Sequence, residues 1–97
     1  MKAERQSADW MKREDERILE YLRENGRARP GLIASEVFEA IRPVHVGERL
    51  AYLRHAGLVD TSGLHSYELT EAGLRYLDGD LNAAHQPRPT VDRVLRG

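Results

Sequence analysis

Hydrophobic residues return every three or four positions in four separate stretches of the chain, and the polar and glycine residues between them mark where each helix ends. In "REDERILEYLRENG" the residues Ile18, Leu19, Tyr21 and Leu22 fall on one side of a helix, and Asn25-Gly26 is a C-cap signal. "ARPGLIASEVFEAI" carries Pro30 where a first helical turn tolerates proline, followed by the short apolar stripe Leu32, Ile33, Val37 and Phe38. Pro43 disfavours helical geometry in the residue before it, so a third helix starts near Val44 and runs over residues 44–56 with Val46, Leu50 and Leu53 inward. "LVDT" and "SYEL" have strand character on either side of "SGLH", whose Ser62-Gly63 pair signals the turn of a hairpin. Thr70 is placed to cap a fourth helix through "EAGLRYLDGDLNA", with Leu74, Leu77 and Leu81 on its inner side. After Asn82 the chain turns to Pro87, Pro89 and too few apolar residues for a core, although "TVDRVLR" has the makings of one or two capped turns against a partner. The expected organisation is therefore a flexible N-terminus over 1–9, one folded domain over 10–83, and a tail over 84–97 that is disordered or docked on a partner.

Composition narrows the class. The chain has 97 residues, enough for one core; 32% are charged and 40% hydrophobic, a soluble globular balance without the run of ~20 apolar residues that crosses a bilayer. "MKAERQSAD" has no apolar h-region and so does not read as a secretory signal. The absence of cysteine excludes disulfides and thiolate metal sites and fits a cytoplasmic location. The four histidines, His45, His55, His65 and His85, have no ligand spacing, no glycine-rich phosphate loop is present, and no nucleophile motif is recognisable. Hence no catalytic residue, metal or cofactor is expected. The net charge of -1 shows that the molecule as a whole is not a basic binder of nucleic acid.

Three helices, a hairpin and a further helix make the fold α+β, mostly α. With the brief "IRPV" turn between the second and third helices, this is a winged helix-turn-helix with a two-stranded β-hairpin wing and a C-terminal helix. That geometry places the second helix of the pair in the major groove of DNA. The letters carry a resemblance as well. "DWM", "DERILEYLRENG", "RLAYLRHAGLV" and "YELTEAGLRYLDGDLNA" resemble the small winged-helix regulators of halophilic archaea, a group that includes halophage-repressor-like proteins. The resemblance spans Trp10 to Ala83 and implies DNA binding and transcriptional control, with a repressor the expected kind. Sixteen acids against fifteen bases depart from the halophilic average.

At 100° per residue, the inward stripe of the third helix fixes what its other face presents. Val44, Glu48, Ala51 and His55 lie at the outward centre, with Gly47 and Arg54 on one flank and His45, Arg49 and Tyr52 on the other. Val44, Gly47 and Ala51 are small enough to let the helix approach base edges, with thymine methyls as natural partners, and Glu48 is placed to accept from a cytosine amino group. Phosphate grip falls to Arg42 at the helix N-terminus and to Arg54 and His55 further along, while His65 in the hairpin points the wing toward a minor groove. The set expected to touch double-stranded DNA is thus Arg42, Val44, His45, Gly47, Glu48, Ala51, Arg54, His55 and His65.

Plainer readings stand beside these. Glu48, Arg49 and Arg54 also fit a merely solvated helix face, and Tyr52 fits a partly buried packing role. Between Gly26 and Glu68 the arginines Arg27, Arg29, Arg42, Arg49 and Arg54 are matched one for one by Glu36, Glu39, Glu48, Asp60 and Glu68. A DNA-binding surface is usually more basic, so a winged helix serving as a protein-interaction module without direct DNA binding is the competing function. A homodimer would double each phosphate contact. Trp10 and Met11, with Val91, Val94 and Leu95, are apolar residues outside the expected core that suit such a contact, although Trp10 equally suits covering the open end of its own domain.

Overall fold

The computed structural model describes residues 4–96; Met1 to Ala3 and Gly97, which belong to the end and tail segments expected from sequence, lie outside the described residues. In chain order the elements are α1 (Arg13–Asn25), α2 (Pro30–Val37), α3 (Pro43–His55), β1 (Val59–Ser62), β2 (Ser66–Leu69), α4 (Glu71–Leu77), a 3-10 turn (Ala83–His85) and α5 (Val91–Arg96). The described residues include no helix long and apolar enough to cross a membrane.

Each boundary has a local cause. The Lys12 N–H donates to the Asp15 carboxylate at 3.0 Å at the start of α1, and Gly26 ends the helix with φ of 78°, a conformation that costs glycine nothing. Pro30 and Pro43 each occupy the first turn of their helices, where a missing N–H is no loss. β1 and β2 pair antiparallel with Val59 opposite Leu69 and Thr61 opposite Tyr67. Ala28, between α1 and α2, exchanges two backbone hydrogen bonds with Tyr67, at 3.0 and 2.9 Å, and so ties the root of the hairpin to the helices. Thr70 caps α4 as its position suggests: its hydroxyl oxygen accepts from the Gly73 N–H at 3.0 Å and its O–H donates to the Gly57 carbonyl at 2.6 Å.

The core is built from Ile18, Leu19 and Leu22 of α1, Ile33 of α2, Val46, Leu50 and Leu53 of α3, then Leu58, Val59, Tyr76 and Leu77. The inward stripe read for α3 is the observed one, since all three of its residues are fully buried. Two inward assignments differ. Leu32 and Leu74 are exposed, and the buried positions of α4 are Gly73, Tyr76 and Leu77. For Leu74 the reason is a close approach: a Cβ on Gly73 would collide with the Leu58 carbonyl and the Leu69 side chain, so this glycine lies against the hairpin and Leu74 is turned outward. The helix is also shorter than its apolar spacing suggests, because Gly79 turns the chain with φ of 83°, leaving Leu81 outside it but half-buried against the core.

The two chain ends also differ from expectation over their described residues. Gln6 bridges Asn82 in parallel register, and Arg5 donates to the Leu77 carbonyl at 3.0 Å and pairs with Glu20 at 2.6 Å. A polar segment held by charges and backbone groups has no hydrophobic periodicity, so its letters do not announce the docking. In the tail, Gln86 donates to the Ala56 carbonyl at 2.9 Å, Pro89 is buried, and α5 packs on α3 of its own chain. Trp10 and Met11 are half-buried and pack against the core, the covering role rather than a free apolar surface.

Candidate nucleic-acid interface

Because Val46, Leu50 and Leu53 bury one side of α3, the opposite side is set by helical geometry. Val44 is 67% exposed, Glu48 and Arg54 are exposed, and Gly47, Ala51 and His55 are half-buried. Arg42, exposed, occupies the N-cap position of the same helix. These residues form one strip along α3. His65 lies apart from them at the hairpin tip with φ of 144°, next to Leu64, which is 83% exposed. The tip carries no lysine or arginine.

Two polar contacts lock α3 onto the start of α1. Arg49, read from sequence as a flank residue of a solvated face, is only 5% exposed: its guanidinium donates to both carboxylate oxygens of Asp15, at 2.8 and 2.7 Å, and to the Trp10 carbonyl at 3.2 Å. It lies over the Tyr52 ring at 4.6 Å from the centroid, so the half-buried Tyr52 is a packing residue. The Asp15 hydrogen bonds hold the Arg49 guanidinium more firmly protonated than usual. Asp15 itself is fully buried, an uncommon place for a carboxylate unless it is paired as here. Beside this pair, His45 Nε2 lies 3.1 Å from the Glu14 carboxylate. Glu14 stays ionised below the usual carboxylate range because its own backbone N–H and then His45 hydrogen-bond it.

The electrostatic consequence is a less basic face than the letters suggest. Arg49 is neutralised inside, His45 is turned to Glu14, and Arg54 has Asp60 at 3.5 Å, both of that pair being well exposed and therefore weakly coupled. Arg42 and Arg54 are the arginines that α3 and its N-cap offer to solvent. A groove of about 400 Å³ runs beside the C-terminal half of the helix, lined by Ala51, Arg54 and His55 of α3, Tyr67 of β2, and Arg93 and Val94 of α5. Sequence reasoning missed Tyr67, which reaches the groove from β2, and Arg93, because a six-residue helix has too few residues to show which way it faces. Among the described residues, no three histidines, aspartates or glutamates gather as metal ligands would.

Three helices, a hairpin wing after the third, and an outward strip on that third helix define a winged helix-turn-helix domain. The chain belongs to the winged helix-turn-helix phage repressor family, which matches residues 4–86. Among solved structures it is similar to the crystal structure of the PhiH1 repressor-like protein from Haloarcula marismortui, with 32% identity and a TM-score of 0.82 over 90% of this chain and 99% of that one. Comparison with curated proteins finds no match.

Proposed function

We propose that the protein is a sequence-specific DNA-binding regulator of transcription, acting as a repressor in the cytoplasm, that reads the major groove with α3. The observation that supports this best is the strip of small and exposed residues on α3, held by a fully buried stripe behind it and by the Arg49–Asp15 pair at its side. Val44, Gly47 and Ala51 approach base edges, and Glu48 accepts from a cytosine amino group. Arg42, Arg54 and His55 contact phosphates, His45 lies at the edge of the strip, and His65 reaches a minor groove from the wing.

Reading and gripping leave different signatures. Arg54→Ala weakens binding to all duplexes alike and flattens the salt dependence by about 0.9 log unit for each phosphate that a copy no longer neutralises. Glu48→Ala relaxes preference at one base pair by about 1 to 3 kcal/mol while general affinity holds or rises. Fluorescence anisotropy on specific and scrambled duplexes at several salt concentrations separates the two. If Glu48→Ala changes nothing on either duplex, Glu48 belongs to a solvated face.

A second reading, a protein-interaction module, is favoured by the withdrawal of Arg49 from the surface, which leaves the strip with Glu48 and few cations. It gains the ground if the unmutated protein binds no duplex at low salt.

The DNA reading also implies two copies side by side, because a single strip with so few cations gains from doubling its phosphate contacts. A homodimer is the expected assembly, with Val91, 61% exposed, free to meet a second copy now that Trp10 is taken up by its own core. Sedimentation equilibrium at high micromolar concentration is expected to give twice the chain mass; a monomer with and without DNA would rule the dimer out.

A further inference from the structure

We infer that α5 is a built-in gate on α3, which must leave that helix before its full outward strip enters a major groove. The inference rests on the DNA reading proposed above. α5 packs on α3, and its Arg93 and Val94 line one groove with Ala51, Arg54, His55 and Tyr67. Ala51, Arg54 and His55 are the C-terminal half of the outward strip. A major groove is roughly 12 Å wide and one α-helix with its side chains is roughly 10 to 12 Å across, so the groove admits α3 but not α3 with a second helix alongside. Docked, α5 leaves Val44 and Glu48 exposed and stands beside Ala51 and His55, which are half-buried. The residues matched to the family end at 86, before α5 begins.

The same contacts show that the gate is built to open. α5 has six residues, a length that does not hold a helix by itself, so its order depends on docking. Its first turn is capped by Thr90, whose carbonyl accepts from the Val94 N–H at 2.9 Å and whose hydroxyl accepts from the Arg93 N–H at 3.2 Å. The segment leading to it is fastened in part by an exposed ion pair, Arg88 to Asp9 at 2.6 Å. Arg93 and Arg54 line one groove, Arg54 with Asp60 at 3.5 Å beside it, and a duplex arriving at the same place brings phosphates for both arginines. Opening is then a tax on affinity: the apparent Kd is the intrinsic one divided by the fraction of molecules with α5 released.

The test uses the full chain. Val94→Pro removes the N–H that bonds Thr90 and the side chain that lines the groove, without touching the core; it is expected to tighten duplex binding by about threefold or more at an unchanged thermal midpoint. Because the chain contains no cysteine, Ala51→Cys with Val94→Cys also provides a unique pair for a reducible bis-thiol linker. Linking is expected to weaken duplex binding by about tenfold or more, and dithiothreitol to restore it in the same molecules. Unchanged or weaker binding by Val94→Pro, together with linked protein that binds as well as released protein, overturns the gate and leaves DNA recognition standing, with α5 then helping to hold the duplex if binding weakens. If the unmutated chain, Val94→Pro and the released protein all fail to bind duplex at low salt, DNA recognition and the gate fall together.

Discussion

Asp15→Ala is expected to destabilise the domain by about 3 to 5 kcal/mol, the largest effect of any single change outside the apolar core. The carboxylate is fully buried and accepts two hydrogen bonds from Arg49, itself 5% exposed. Removing it strands a guanidinium in the interior with the Trp10 carbonyl as its remaining hydrogen-bond partner. The cost is chiefly that of an uncompensated buried charge, with the lost hydrogen bond from the Lys12 N–H at the start of α1 added to it, so it is not the net worth of the pair. The double variant Asp15→Ala with Arg49→Met removes both charges and is expected to recover much of the loss. Urea unfolding of the two singles and the double measures this. A loss for Asp15→Ala of less than about 1 kcal/mol, within the ordinary range of exposed pairs, would mean that Arg49 finds water and that the clamp on α3 is loose.

Truncating Leu50 or Leu53 to Ala is expected to cost about 2 to 5 kcal/mol each, through reduced apolar burial and the cavity left behind. Both are fully buried, and they are the residues that turn the opposite side of α3 to solvent. For a domain with about 5 to 15 kcal/mol of stability, either change consumes a large share, which shows as a clear fall in the urea midpoint and in the thermal midpoint. Losses below about half a kcal/mol for both would mean that α3 is rotated from its described orientation and that its outward strip is composed differently.

These two experiments also mark what was legible in the letters. Leu50 and Leu53 were legible because apolar spacing, Pro43 at the start of α3 and Gly57 just past its end all point to one helix in one orientation. The hairpin was legible for a similar reason, with strand residues flanking a Ser-Gly turn. Arg49 was not, because a charged residue beside an apolar stripe is ordinarily solvated, and its burial depends on a carboxylate 34 positions earlier that folding brings within hydrogen-bond reach. Leu74 faces out for a backbone reason: the approach of Gly73 to the Leu58 carbonyl and the Leu69 side chain sets which side of α4 faces in. The docking of α5 was illegible because a six-residue helix has too few positions for a hydrophobic period to emerge. The outward exposure of the α3 strip was therefore legible where one helix determines it, and was not legible where a second element reaches it: His45 to Glu14, Ala51 and His55 to α5.

The central claim is that the outward strip of α3 reads DNA sequence, and the most direct measurement is selection of bound duplexes from a random pool by the 97-residue chain at low and at physiological salt. The account predicts enrichment of one motif, palindromic because two copies bind side by side, containing a C·G pair whose preference is lost when selection is repeated with Glu48→Ala. Recovery of sequences no different from the starting pool, at both salt concentrations, would contradict it.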